Sequence, residues 1–287
     1  MTTWERAGGS AGTAPAAERP NAPPALAGGR SALRLAGHGM GLILPLVLLA
    51  GWEALARLAL IDAQLLPAPS RVLGTIWDLA ASGDLWLHAA ATLQRVGVGF
   101  ALGVAAATLL GALTGYSETA KRLLDPTLQA LRNIPSIAWV PLFILWFGIF
   151  ETSKVLLIAV GVFFPVYLNL ASAIRDVDRK LVEVGRVYNL SHLQMVRRIL
   201  LPAALPSYVV GLRGGLGLGW MFVVAAEIMG ASEGLGYLLT DGQMTGRTHV
   251  ILAAIVLFAL FGKATDMVLA GVGRRLVSWQ DGFMSAR

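Results

Sequence analysis

Four histidines, His38, His88, His192 and His249, are the only imidazoles in this 287-residue chain, and there is no cysteine. The histidines are scattered through tail and loops, without metal-ligand spacing and without a nucleophile and base beside them. Disulfides, thiolate metal sites and cysteine nucleophiles are excluded outright. A phosphate-cradling G-x-x-x-x-G-K-[ST] loop is also missing, because the only Gly-Lys pair, Gly262-Lys263, is followed by Ala264 inside an apolar run. The sequence therefore predicts no catalytic residue, no metal site and no cofactor held by this chain.

What remains are charges and small residues inside apolar stretches. Glu53, Arg213 and Glu227 are the chief ionisable residues there, and intramembrane charges are costly enough to be weighed as functional. Each has a plainer reading. Glu53 precedes Arg57 by four residues and would pair with it on one helix face; Arg213 lies about two turns into its span from the expected cytoplasmic side, from where it would snorkel; Glu227 lies close to the outer end of the same span. A chain of carboxylates through the bundle, expected of an ion-coupled secondary transporter, is missing, and a membrane-embedded enzyme has no constellation to support it. Gly99, Gly103, Ala107, Gly111 and Gly115 recur every four residues, as do Gly211, Gly215 and Gly219. Such stripes let helices approach closely, with static packing favoured over a moving gate. Pro135, Pro141 and Pro165 punctuate other apolar runs and free backbone groups, with Ser136 or Asn169 placed to help satisfy them. Arg132, Asn133, Pro135, Trp139, Arg213, Gly215, Gly219 and Glu227 are the candidate pathway or gate residues.

These residues need elements to position them, and composition says which. Hydrophobic residues make up 56% of the chain, charged residues 14%, and mean hydropathy is +0.66, far more apolar surface than a soluble domain buries. A bilayer is the expected solvent. Six apolar runs long enough to span it fall at 39–60, 96–116, 128–149, 155–174, 206–229 and 250–272. The fold class is all-α, a polytopic transmembrane bundle of about six spans; continuous runs of this kind exclude a β-barrel. The net charge of +6 is spread between the runs rather than gathered in a stripe, which fits membrane lipid headgroups and not nucleic acid. Arg175, Arg179, Lys180, Arg186, Arg197 and Arg198 crowd one loop, against Lys154 and Arg247 on the opposite side. That loop is expected in the cytoplasm, and with an even number of spans both termini are too. Residues 1–36, rich in Ala, Pro and Gly, read as a disordered cytoplasmic tail, 37–280 as the membrane domain, and 281–287 as a C-terminal tail. The loop at 61–94 is expected outside, with amphipathic pieces around Leu79, Leu85, Trp86 and Leu87.

The basic loop, 175–203, carries the most information. Leu181, Val184 and Tyr188 fall at helical spacing while Glu183 and Arg186 face elsewhere. Asn189 is placed to stop this helix in a left-handed conformation, and Ser191 with Gln194 forms a capping box that starts the next. The product is a helix, a sharp turn and a helix, whose apolar side could dock into a groove of a soluble partner or lie on headgroups.

At this loop the sequence resembles the permease subunits of bacterial ABC importers, whose cytoplasmic signature reads Glu-Ala-Ala, three residues, Gly, then about nine residues to Ile-x-Leu-Pro. Here stand Glu183, Val184 and Gly185, then Asn189, then Ile199, Leu201 and Pro202. Two positions depart: Ala-Ala is Val-Gly, and the motif's glycine is Asn189. The likeness extends through Asn133-Ile134-Pro135-Ser136-Ile137-Ala138-Trp139-Val140-Pro141, Trp146-Phe147-Gly148, Phe163-Phe164-Pro165, Gly211-Leu212-Arg213 and Ala226-Glu227-Ile228-Met229-Gly230 to Gly234-Leu235-Gly236-Tyr237. It points to the nitrate, sulfonate, taurine and bicarbonate branch, with aliphatic sulfonate permeases nearest in look, chiefly around Arg186-Val187-Tyr188 and Ala259-Leu260-Phe261-Gly262-Lys263. The resemblance implies an inner-membrane homodimer that passes a small anion. It further implies a separate pair of ATPase subunits that bind ATP and Mg, and an extracytoplasmic substrate-binding protein. It also implies that Glu183, Val184, Gly185, Arg186, Tyr188, Asn189, Leu190, Ser191 and Pro202 form the ATPase-coupling loop.

Overall fold

The computed structural model describes the backbone of residues 29–277, with side chains from Ile43 onward except Ser136, His192 and Leu193. The expected tails fall largely outside these residues, although helix α1 (Gly29–Arg57) already begins within the stretch expected as the N-terminal tail. The chain divides into two compact units, residues 1–51 and 52–287. The first contains most of α1. In the second, Glu53 accepts from Arg57 Nε at 2.6 Å, the pairing its spacing predicts, and also takes the Ser70 amide at 3.0 Å and hydroxyl at 2.8 Å.

Among the described residues, every regular element of the second unit is a helix. It begins with the amphipathic α2 (Pro69–Ser82), which ends at Gly83 in a left-handed conformation (φ 92°), a turn an L side chain would strain. α3 (Asp84–Tyr116) follows at once. The expected outer loop at 61–94 is thus largely helix, and the second span runs about three turns further than its apolar stretch because Asp84, His88 and Arg95 are polar yet helix-compatible. Leu85, with Ile76 and Leu79 of α2, packs on α10 (Leu235–Met244) and α11 (Thr248–Leu276) in a satellite core.

The third expected span, 128–149, is not one helix. α4 (Glu118–Arg132) ends at Asn133, and a 3₁₀ turn (Ser136–Trp139) leads into α5 (Val140–Phe147), with the chain bent by 90° across the break. Pro135, which has no N–H to continue the helix, lies in the break; Pro141 lies in the first turn of α5, where the missing N–H costs nothing, and Val140 before it is helical (φ −56°, ψ −53°). At eight residues, α5 is roughly 12 Å long, too short to cross about 30 Å of hydrocarbon alone. Among the described residues, four other helices are long and apolar enough to span: α3, α6 (Glu151–Arg175), α9 (Leu201–Ile228) with the turn preceding it, and α11.

Helix α6 is the centre of the unit. Both small-residue stripes pack against it, the close helix contact that static packing and a gate alike require. A Cβ on Gly103 would lie 2.6 Å from the Ala159 carbonyl, and one on Gly99 2.6 Å from the Ile158 side chain. On the opposite side, a Cβ on Gly215 would meet Val166 at 2.9 Å and one on Gly211 would meet Asn169 at 2.7 Å. Backbones this close give each helix pair dispersion contact that lipid cannot match. Ile158, Val162, Val166 and Tyr167 of α6 are consequently buried, together with Ala107 of α3 and Val223 of α9. Within α6, Asn169 Nδ2 donates to the Pro165 carbonyl at 2.9 Å, whereas the carbonyl that Pro165 deprives of its helical donor is that of Gly161, one turn earlier.

Candidate functional site

The basic loop folds as the sequence predicts. Asp178 caps α7 (Arg179–Val187) by accepting from the Lys180 amide at 2.9 Å. Asn189 sits at φ 48°, its amide donating to the Arg186 carbonyl (2.9 Å) while the Leu190 amide donates to the Gly185 carbonyl (3.0 Å). This is a Schellman stop with asparagine in the left-handed position, where only Gly and Asn are readily accepted. Ser191 and Gln194 then exchange bonds, Ser191 N to Gln194 Oε1 at 3.0 Å and Gln194 N to Ser191 Oγ at 3.4 Å, opening α8 (His192–Met195). A widened π-turn (Val196–Leu200) joins α8 to α9, where Pro202 lacks the N–H that a regular helix would direct at the Arg198 carbonyl.

Gly185 is buried in this hairpin: a Cβ there would lie 2.7 Å from both Met195 Cε and Ile199 Cδ1. The departure from Ala-Ala thus has a packing cause. Leu181, Val184, Val187 and Tyr188 are exposed, as are Glu183 and Arg186. The loop therefore presents an apolar surface rimmed by charge, on a helix held at Gly185, along the edge of that surface, against Met195 and Ile199.

The pathway candidates are not gathered in one place. Arg132, Asn133 and Pro135 are exposed at the break after α4, and Trp139 stacks on Phe143 with ring centroids 6.0 Å apart. Gly215 and Gly219 face α6. Arg213 is paired. Its Nε and Nη2 bond both oxygens of Asp266 on α11 at 2.8 and 2.9 Å, and Asp266 is a partner that sequence reasoning overlooked.

Glu227 is no peripheral charge. It is 1% exposed and accepts from Arg95 Nη1 (2.7 Å), Thr92 Oγ1 (2.8 Å) and the Gly236 amide (2.8 Å). Arg95 also forks onto Glu151 at 2.6 and 2.9 Å and donates to the Glu233 carbonyl at 2.6 Å, while Lys154 reaches Glu151 at 2.9 Å. Thr92 Oγ1 receives the Leu235 amide and His88 Nδ1 the Gly234 amide. Side chains from α3 and α9 thus satisfy the opening N–H groups of α10, which otherwise lack partners. Gly234 and Gly236 are glycines because a Cβ on either would come within 2.5 Å of Glu227. The cluster ties α3, α6, α9 and α10 at the end of the bundle away from α7. Only Glu227 was legible as a candidate; Arg95 fell between the expected loop at 61–94 and the expected span at 96–116.

A helical bundle with a turned helix pair at one end and a locked charge cluster at the other is the form of a transporter's membrane component. The sequence matches the family described as binding-protein-dependent transport system inner membrane component over residues 99–278, and the chain belongs to that family. It is a multi-pass inner-membrane protein, the permease component of an ABC importer. It is 42% identical to the "Putative aliphatic sulfonates transport permease protein SsuC" of Bacillus subtilis, over 85% of this chain and 88% of that one. It is 35% identical to the taurine transport system permease protein TauC of Escherichia coli, over 81% and 86%. Among solved structures, inward-facing forms of the MetNI methionine ABC transporter match with a TM-score of 0.58 at 20% identity, covering 65% of this chain and 93% of that one. That likeness concerns the fold.

Proposed function

We propose that two copies of this chain form the membrane pathway of an importer for a small anion such as a sulfonate, taurine or nitrate, delivered by an extracytoplasmic binding protein. A pair of separate ATPase subunits binds ATP and Mg and docks on the cytoplasmic loop 175–203. The observation that carries the coupling role is the exposed apolar face of α7, Leu181, Val184, Val187 and Tyr188, beside a rigid turn. Its shape suits a groove. Because Gly185 packs on α8 and the π-turn runs directly into α9, a push on α7 passes into a membrane helix instead of dissipating in a loop. The anion reading rests on the substrates named for the sulfonate and taurine relatives.

The test is co-purification of the full chain with the ATPase encoded beside it, in nanodiscs. Wild type is expected to bind the ATPase and stimulate ATP turnover, and Val184→Asp and Glu183→Lys to lose both while still purifying as folded chains. Retention of stimulation by both variants refutes the coupling role. Solute movement by the chain alone, driven by an ion gradient, refutes the importer assembly in favour of a secondary carrier.

A further inference from the structure

Three charges lie on the two membrane-spanning helices α9 and α11, Arg213 and Lys263 exposed and Asp266 half-buried. Arg213, its side chain 46% exposed, is paired to Asp266, and Lys263 stands one turn before Asp266 with Nζ 3.9 Å from it and its side chain 69% exposed. Depth decides what this means. Asp266 precedes Arg274 by eight residues, roughly 12 Å along α11, and Arg213 follows Leu201 by twelve, roughly 18 Å along α9. With Arg274 and Arg275 anchored at headgroups, both sit near the middle of a hydrocarbon layer about 30 Å thick. A carboxylate on one methylene cannot snorkel, and by gripping both guanidinium nitrogens it keeps Arg213 at its own depth. Each charge facing lipid at that depth costs about 3 kcal/mol or more, so lipid is the wrong neighbour for this face.

The adjoining surface of α9 mixes glycine with the exposed apolar side chains of Val210 and Met221. Gly214 and Gly217, both exposed, follow Arg213 on this side, and a Cβ on Gly217 would meet nothing within 4 Å. The charge sum over Arg213, Lys263 and Asp266 is +1.

We propose that this face of α9 and α11 borders the water-filled solute pathway, with Lys263 and Arg213 as the cations that favour an anionic solute and Asp266 as the residue that positions Arg213. The charge preference rests on the anion reading above; the wetness of the face does not. Fixed positive charge in a low-dielectric channel concentrates anions and excludes cations.

The chain's lack of cysteine makes the test direct. Val210→Cys and Gly217→Cys are introduced singly into the full chain, in membrane vesicles containing the assembled transporter, with Leu109→Cys as the lipid-facing reference. Each is treated with anionic sulfonatoethyl methanethiosulfonate and with cationic trimethylammonioethyl methanethiosulfonate. Both α9 positions are expected to label at least tenfold faster than Leu109→Cys, and the anionic reagent to be preferred. Adding Lys263→Gln, on an exposed side chain, lowers the anion-to-cation rate ratio on the order of tenfold, the scale of one unit charge at this range, and Lys263→Arg restores it. Labelling no faster than the reference, or disulfide formation between copies that blocks labelling, overturns the pathway placement. Fast labelling with a ratio indifferent to Lys263→Gln overturns the role of the charges. Uptake of a neutral or cationic solute by a transporter that passes both labelling tests overturns only the anion reading.

Discussion

Replacing Glu227 by glutamine changes the shape of the buried cluster hardly at all and removes one negative charge, so the response isolates electrostatics and donor-acceptor matching. The carboxylate accepts from three donors: Arg95 Nη1, Thr92 Oγ1 and the Gly236 amide. Glutamine offers one acceptor oxygen. If that oxygen stays on Arg95, the side-chain NH₂ confronts the Gly236 N–H, donor against donor. Losing a buried charge-assisted bond costs about 1.5–3 kcal/mol, and removing one partner of a buried ion pair about 3–5 kcal/mol. Arg95 keeps its fork on Glu151, which places the expected loss near the lower figure, about 3 kcal/mol. On the scale of a globular chain of 150–250 residues this is a fall in Tm of roughly 6–12 °C. Tryptophan-fluorescence melting in detergent measures it, and hydrogen exchange at the start of α10 localises it, because the Leu235 and Gly236 amides lose their side-chain acceptors or have them displaced. A Tm within 1 °C of wild type together with unchanged α10 protection would refute the claim that Glu227 is the keystone of the cluster.

Gly103→Ala is expected to lower the yield of monodisperse protein sharply, because its Cβ would press on the Ala159 backbone carbonyl, whereas Gly97→Ala, where a Cβ meets nothing within 4 Å, is neutral or slightly stabilising; gel filtration separates the two. Asn189→Gly should leave coupling intact and Asn189→Val should cost about 1–2 kcal/mol of left-handed strain and reduce ATPase stimulation, read as turnover at saturating ATP. Thr92→Val removes a hydroxyl that donates to Glu227 and accepts from Leu235, for an expected loss of about 2 kcal/mol in the same melting assay.

Features set by near neighbours were legible in the sequence. Apolar runs announced the helices; Asp178, Asn189, Ser191 and Gln194 act within a few residues of themselves, so the turn between α7 and α8 could be read from their chemistry. The four-residue recurrence of small residues declared close packing faces on α3 and α9, since helical periodicity alone puts them in line. Pro135 and Pro141 marked the break in the third span, though not its size, because a proline fixes its own φ and leaves the direction of the following helix to packing. Which partner each stripe finds was settled only in three dimensions, where α6 receives both. The charges needed tertiary structure most. Arg95 and Glu227 are 132 positions apart, and Arg213 and Asp266 are 53; in sequence each is an isolated charge whose cost argues for neutral explanations at a span end. Only when α3 and α9 are laid on α6, and α11 beside α9, does each acquire a counter-ion at hydrogen-bonding distance, because ion pairing depends on separation in space and chain distance carries no information about it.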